Sequence, residues 1–274
     1  IGLLSNPHNL ADSLTFTNPD KFNTVQVKVD ANTRLFFARV FGRDQAAVTA
    51  TASATVEDRI IGFSPQGTER STLIPFGIHV DDWANFLETV RSGGGSDQFA
   101  VGSSGTGSVV ASDGIPEMAL YPNRTGAGGN CGTLNIGAAN NGTPDLENQL
   151  SGGISAADLE SHGGELTVDP DLGFELNGDP GISAGIKDAV ASIVGKPRTV
   201  FLYDSVSGDG NNAEFNIVGF AGVRIMNYWL DGSFEADIDK HHIHVQPAFV
   251  SDSTAIVGSQ TTSYHVVKGV RLCR

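Results

Sequence analysis

The chain has 274 residues, of which 39% are hydrophobic, 18% are charged and 34 are glycine. Its formal net charge of −14 comes from 31 acidic and 17 basic residues. Nucleic acids and anionic membranes select basic surfaces, so this charge argues against both as partners. No apolar run reaches the ~20 residues of a membrane span. A small share of charged residues with many turn-forming residues is typical of secreted β proteins.

Two features at the level of the whole chain bear on export. The first residue is Ile1 rather than Met, which predicts that a leader, anchor or longer N-terminal segment was removed. The only cysteines are Cys131 and Cys273. In an exported protein they form either one long-range disulfide or two free thiols, and sequence alone leaves both open because it does not give their distance.

The first half of the chain contains two strand patterns and two helix patterns. Val25, Val27 and Val29 alternate with polar residues, which predicts a strand over residues 22–30. The segment 46–56, AAVTATASATV, predicts a strand with a small-residue face that suits close packing of another sheet or chain. A strand over 73–80 precedes a helix to residue 90, and Thr143 is the predicted N-cap of a helix to residue 150.

The second half of the chain is richer in strands. Residues 165–177 predict a hairpin that turns at 169–171. The spacing of Ile182, Ile186, Val190 and Ile193 predicts a helix over 182–194. Four strands follow, at 199–203, 213–230, 241–249 and 263–272.

These elements predict a β-dominated α+β fold with two to four short helices and mixed or antiparallel, sandwich-like sheets. No internal repeat or linker interrupts the sequence. We therefore expect one extracytoplasmic domain over residues 1–274, with residues 1–21 as a candidate assembly segment.

Five phrases of the sequence carry a resemblance to a known family. They are FFARVFGRDQAAVTATASATV (36–56), LIPFGIHVDDW (73–83), GIPEMALYPNRTGAGGNCGTLNIG (114–137), LNGDPGISAGIKDAVASIVGKPR (176–198) and SGDGNNAEFNIVGFAGVRI (207–225). In this order they resemble the TadE/TadG-like, Flp/Tad pilus-assembly-like proteins of planctomycete-type bacteria. The resemblance implies an exported, surface or pilus-associated protein without established catalytic residues. Members of that family resemble one another in having an N-terminal hydrophobic helix, and the expectation is that this sequence corresponds only to the domain that follows the helix.

Two acidic clusters are candidate calcium sites. Four carboxylates between two predicted strands repel one another unless a cation neutralises them, and calcium prefers such oxygen-rich loops. The first cluster consists of Asp231, Glu235, Asp237 and Asp239. The second consists of Asp204, Asp209, Asn211 and Asn212. Neither matches the EF-hand pattern, so a solvated acidic loop remains the alternative for both.

Two further patterns invite other chemistry. His242 and His244 would share one face of a strand, as metal ligands or as a solvated strand edge. Residues 181–185 match the G-x-S-x-G pattern of serine hydrolases, with Ser183 as the nucleophile. The turn NGDP at 177–180 precedes it, where a nucleophile elbow requires a strand, so we expect Ser183 to start a helix instead.

Taken together, the sequence predicts an extracellular structural protein without enzymatic activity. We expect it to self-assemble as a homopolymer into a fibre, pilus-like appendage or surface layer, stabilised by Ca²⁺. Chain contacts are expected at the strand 49–56 and before Phe22. The first alternative is a monomeric surface adhesin or calcium-dependent binding module. The second alternative, which the sequence favours less, is a secreted serine hydrolase.

Overall fold

The computed structural model describes residues 24–34, 45–56, 60–101, 109–110, 112–120, 130–137, 142–169, 171–208, 210–230, 242–258, 263–268 and 270–273. The chain divides into two compact units. The N-terminal unit comprises Ile1–Glu57 and Gly269–Arg274, and the central unit comprises Asp58–Lys268. The sequence predicted one domain over 1–274, and its candidate assembly segment, residues 1–21, lies outside the described residues.

The described elements are mostly strands. The α-helices are Val80–Arg91 (α1), Thr143–Gly152 (α2) and Lys187–Ile193 (α3). The strands are Thr24–Arg34 (β1), Gln45–Val56 (β2), Ile60–Phe63 (β3), Leu73–His79 (β4), Ala100–Val101 (β5), Val109–Val110 (β6), Met118–Leu120 (β7), Cys131–Leu134 (β8), Leu166–Thr167 (β9), Phe174–Asp179 (β10), Pro197–Ser207 (β11), Ala213–Trp229 (β12), His242–Pro247 (β13), Val250–Ser251 (β14), Ala255–Val257 (β15), Ser263–Tyr264 (β16), Val266–Val267 (β17) and Val270–Cys273 (β18).

The N-terminal unit contains a three-stranded sheet in the order β1-β2-β18. β1 and β2 pair antiparallel without a register shift, from Thr24 opposite Thr55 to Arg34 opposite Gln45. β18 pairs antiparallel with the end of β2, from Val270 opposite Val56 to Cys273 opposite Ser53. Both strands predicted from the alternating pattern in this part of the chain are confirmed.

The central unit contains an eight-stranded sheet in the order β10-β8-β4-β11-β12-β13-β7, with β16 beside β12. β4 and β11 run parallel, with Tyr203 opposite His79 at their carboxyl ends. β10 pairs with β8 and also with β12, so β4, β8, β10, β12 and β11 close into a ring. Phe215 fills the ring where Gly132 and Gly178 leave room, because a Cβ at either glycine would lie within 3.0 Å of the Phe215 ring.

Residues 199–203 of β11 are all buried. Since successive residues of a strand point to opposite sides of the sheet, both faces of the sheet are covered at this strand. Val200 and Leu202 join one core cluster, to which α1, α2 and α3 contribute Trp83, Leu150 and Val190 among others. Phe201 and Tyr203 join the other cluster, with residues of the small sheet β15-β3-β9. The central unit is thus layered, with its helices on one face of the sheet.

The predicted fold class is confirmed, since the described chain is β-dominated with three short α-helices and mixed sheets. Four local predictions differ from the structure. The strand predicted at 263–272 is divided into β16, β17 and β18, which belong to three different sheets. The helix predicted over 182–194 is a 3₁₀ turn, Ala184–Ile186, followed by α3.

The chain does turn where the hairpin was predicted, since the Gly173 N–H donates a hydrogen bond to the Asp169 carbonyl at 2.9 Å. The flanking strands do not continue as a hairpin, because β9 pairs with β3 while β10 pairs with β8 and β12. Gly142, not Thr143, is the N-cap of α2, and Pro144 lies in its first turn.

Candidate functional site

The β1–β2 ribbon has two chemically different faces, because directly opposed residues of an antiparallel pair lie on the same face. One face carries Val, Ala and a single Thr. Its register pairs are Val25 with Ala54, Val27 with Ala52, Val29 with Ala50, Ala31 with Val48 and Thr33 with Ala46. The other face is polar, with the pairs Thr24–Thr55, Gln26–Ser53, Lys28–Thr51, Asp30–Thr49, Asn32–Ala47 and Arg34–Gln45.

Both faces of the ribbon meet solvent where their side chains are described. On the polar face, Lys28 Nζ lies 3.9 Å from Asp30 Oδ2, and the two side chains are 53% and 66% exposed. Thr49 donates a hydrogen bond to the same carboxylate. On the apolar face, Val48 is 50% exposed and Ala50 is also exposed. The ribbon therefore presents apolar as well as charged side chains at its surface.

The ribbon also has open hydrogen-bonding edges. Within the described part of the chain, nothing pairs with the outer edge of β1, and β18 covers only residues 53–56 of β2. Residues 53–56 of the expected contact strand lie between β1 and β18, whereas no described strand covers the outer edge of residues 49–52. β1 presents the longer uncovered edge among the described strands, and the prediction did not name it. Neither β1 nor β2 contains proline or glycine, so the sequence did not show which of them is the edge strand.

The central unit has a cavity of about 440 Å³ at one end of the strand ring. His79, Cys131, Tyr203 and Phe215 line it, together with the exposed Asp204. The rings of His79 and Tyr203 meet edge to face at 5.3 Å between centroids. Burial raises the pKa of the Cys131 thiol, so this sulfur stays protonated and is a poor nucleophile and metal ligand. Among the described lining residues, none is an activated nucleophile.

The second predicted calcium cluster lies partly at this cavity. Asp204 Oδ1 accepts hydrogen bonds from Asn216 Nδ2 at 3.0 Å and from Ser205 Oγ at 2.7 Å. Asp209 and the side chain of Asn211 lie outside the described residues, and Asn212 is exposed.

The whole first predicted calcium cluster, comprising Asp231, Glu235, Asp237 and Asp239, falls in residues that the structure does not describe. Among the residues it does describe, no three His, Cys, Asp or Glu side chains are placed to hold a metal ion. The calcium prediction therefore stays a prediction for both clusters.

The two histidines of β13 do share a face, with ring centroids 4.9 Å apart. They do not form a solvated strand edge, because β13 pairs with β12 on one side and with β7 on the other. Burial, reinforced by His242, lowers the pKa of His244 to about 4. His244 Nδ1 is buried and has no hydrogen-bond partner among the described residues. His244 is consequently neutral at physiological pH and packs against Phe99, with ring centroids 5.1 Å apart.

Ser183 starts a helical segment, as expected from the turn before it. It is the N-cap of a 3₁₀ turn, Ala184–Ile186, that leads into α3, and its Oγ accepts a hydrogen bond from the Gly185 N–H at 3.2 Å. The preceding strand, β10, ends at Asp179, whose Oδ1 accepts from the Gly181 N–H at 2.8 Å. The hydroxyl thus caps a helix, and no strand runs directly into it.

Cys131 is a free, buried thiol at the start of β8. Cys273 lies in β18, and its side chain is outside the described set. The disulfide between them therefore stays a prediction.

Comparison with known proteins relates only the N-terminal part of the chain to a family. Residues 2–54 match a family model described as "Putative Tad-like Flp pilus-assembly". This range includes β1 and most of β2. No curated protein and no solved structure matches the chain. None of the helices described in the structure is both long and apolar enough to cross a membrane.

Proposed function

We propose that this chain is an exported structural protein of the bacterial surface, TadE/TadG-like and of planctomycete type, which polymerises with copies of itself. The polymer is a fibre, a pilus-like appendage or a surface layer. The observation that carries the proposal is the match of residues 2–54 to a Tad-like pilus-assembly model. The matched range includes β1 and most of β2, which form a ribbon with an edge that no described strand covers and with Val48 and Ala50 exposed on its apolar face.

The chemistry of the central unit supports a structural rather than a catalytic role. Ser183 Oγ is engaged as a helix cap, and the Cys131 thiol is buried. The histidines of β13 lie in an interior strand of the sheet. Each of these groups is accounted for by packing or capping, which is the pattern of a structural protein.

We further propose that calcium stabilises the polymer. A chain of net charge −14 gains repulsion from every neighbour that it contacts, and salt screens charges only beyond about 8–10 Å. A cation held by Asp231, Glu235, Asp237 and Asp239 would neutralise part of this charge. Binding to the assembled state alone would also stabilise it by mass action.

Electron microscopy and sedimentation of the purified, full-length chain test the polymer. We expect regular polymers in millimolar calcium, and shorter polymers with a lower melting temperature after excess EGTA. A variant with Asp231, Asp237 and Asp239 changed to Asn and Glu235 changed to Gln should no longer respond to EGTA. The matched control changes four exposed acids, Glu69, Asp81, Glu88 and Glu175, to their amides, which reduces the negative charge by the same amount. A monomer at all concentrations would contradict the polymer, and polymers indifferent to EGTA would contradict the calcium role.

The cavity beside His79 and Tyr203 favours a second candidate, a monomeric surface adhesin or binding module. Its volume of about 440 Å³ lies within the usual range for small-molecule sites. The same sedimentation experiment decides between the two candidates, because an adhesin of this kind stays monomeric with and without calcium.

A further inference from the structure

Among the strands that the structure describes, none pairs with the outer edge of β1, which forms a continuous template for another strand. The β1–β2 register runs through eleven residues of β1 without a bulge, and β1 contains no proline. An edge of this length spans about 37 Å at ~3.4 Å per residue. Proteins usually interrupt such edges with bulges, prolines or short strands, because a bare edge pairs readily with another chain.

The sequence of β1 complements itself when two copies run antiparallel. With Val29 opposite Val29 of a second copy, each residue i faces residue 58−i, so Thr24 faces Arg34 and all eleven residues are paired. Lys28 then faces Asp30 of the second copy, and Asp30 faces its Lys28. Opposite charges directly across an antiparallel pair stabilise it, and like charges destabilise it.

Other registers of the same pairing are less favourable. A shift of the two-fold axis to residue 28 places Lys28 opposite Lys28, and a shift to residue 30 places Asp30 opposite Asp30. Each shift also leaves residues at one end unpaired. A slip that changes the parity of the pairing brings the apolar face of one ribbon beside the polar face of the other, because side chains alternate along a strand.

The register centred on Val29 also extends both faces of the ribbon. Val27 and Ala31 face each other across the pair, as do Val25 and Thr33, so the Val/Ala face becomes continuous. The order of strands becomes β18-β2-β1 followed by β1-β2-β18 of the second copy. Lys28 and Asp30 remain on the polar face, where their side chains are 53% and 66% exposed.

We infer that β1 is a self-association edge, at which a second copy of this chain adds its own β1 antiparallel in the register centred on Val29. The inference rests on the proposed self-assembly and names its surface. The affinity comes from main-chain hydrogen bonds, and the specificity comes from the Lys28–Asp30 pairs and the Val/Ala face. The contact is isologous, so it makes a dimer, and a polymer requires a second surface. A contact of this small size gives a weak dimer.

Disulfide trapping tests the register. The full-length chain carries Cys273→Ser to remove background, and the buried Cys131 is left in place. With Val29→Cys, the two new cysteines face each other with Cα atoms about 4.5–5.5 Å apart, within the range for a disulfide. With Val27→Cys, the matched control on the same face, they are about 14 Å apart. We expect mild oxidation to give covalent dimer from the first variant and at least about 10-fold less from the second.

Charge reversal tests the pairing by a second route. Lys28→Asp places two Asp–Asp pairs across the contact, and Asp30→Lys places two Lys–Lys pairs. Each variant alone should dimerise about 10-fold more weakly than the wild type. An equimolar mixture restores both opposite-charge pairs and should dimerise as the wild type does. A role confined to the folding of one chain would not be rescued by mixing.

The outcomes separate this inference from the proposed function. Suppose that the wild-type chain polymerises but Val29→Cys is not trapped, or is trapped no better than Val27→Cys. Either result would overturn the inference about the β1 edge without contradicting the proposed polymer. A trapped and mixture-rescued dimer that never grows further supports the edge and contradicts the polymer. Absence of both trapping and rescue means that the edge is covered by the chain's own residues, which also overturns the inference.

Discussion

The strands of the two units differ in how completely their side chains and edges are covered. In the central unit, β11 and β12 bury side chains on both faces of the sheet, and β12 has partners along both edges. In the N-terminal unit, most described side chains on both faces of β2 are exposed, and no described strand pairs with the outer edge of β1. The comparison shows that a segment can form a strand without contributing to a core. A strand needs only an alternating pattern of side chains, whereas a core needs large side chains on a covered face.

The two units also differ in the surroundings of their carboxylates. Asp252 is 3% exposed, and its Oδ2 accepts hydrogen bonds from Ser71 Oγ and from the backbone N–H and hydroxyl of Thr72, at 2.6–2.9 Å. Its Oδ1 accepts from the N–H and hydroxyl of Thr254. A carboxylate is stable in such a place only when it is fully hydrogen-bonded. In the N-terminal unit, Asp30 is 66% exposed and can exchange partners.

The largest effect is expected from a charge placed in the central core. Ile186 is fully buried against the sheet. Ile186→Asp should destabilise the central unit by about 4 kcal/mol or more, because an unpaired carboxylate is buried. Leu172→Asp is the control, since Leu172 is 81% exposed and its change should stay within about 0.5 kcal/mol. Thermal unfolding measures both, and equal melting temperatures would mean that the helix face at Ile186 is not core.

An intermediate effect is expected from acid. Burial lowers the pKa of His244 from 6.5 to about 4, so the folded state holds this side chain neutral more strongly than the unfolded state does. The resulting stabilisation is complete above pH ~6.5 and is lost as the pH falls toward 4. His244→Phe removes this titration, so urea unfolding of the variant should depend less on pH between 7 and 4. Part of the slope should remain, because burial also lowers the pKa values of His162 and His265. An unchanged slope would show that His244 is solvated.

The smallest effect on stability is expected from substitutions in the β1–β2 ribbon, and it tests whether the faces of the ribbon are exposed. Ala50 and Ala47 are both exposed residues of β2 on opposite faces. At low protein concentration, Ala50→Glu and Ala47→Glu should each change the free energy of unfolding by less than about 0.5 kcal/mol. At high concentration, a greater loss of self-association with Ala50→Glu would show that the apolar face is also used between chains. A cost above about 1 kcal/mol for Ala50→Glu in the monomer would show that this face is covered within one chain.

The candidate surface was partly readable before the fold was known. The alternation of Val25, Val27 and Val29 identified β1, and the small residues of β2 indicated a face that suits another sheet or chain. Which of the two strands lies at the edge could not be read, because it depends on β18, a segment more than 200 residues away in sequence. Pairing with β18 covers residues 53–56 of the expected contact strand, whereas no described strand covers the outer edge of β1.

The sequence by itself determined the β-dominated α+β class, the burial of Ile186, Val190 and Ile193 and the place of Ser183 at the start of a helical segment. These features depend on local periodicity and turn chemistry, which a stretch of ten to twenty residues contains in full. Only the tertiary structure decided that β9 and β10 separate, that five strands close into a ring around Phe215 and that β13 is interior. Each of these depends on which distant strand supplies the hydrogen bonds. An alternating strand offers the same donors and acceptors to every partner, so only packing of the whole chain selects among them.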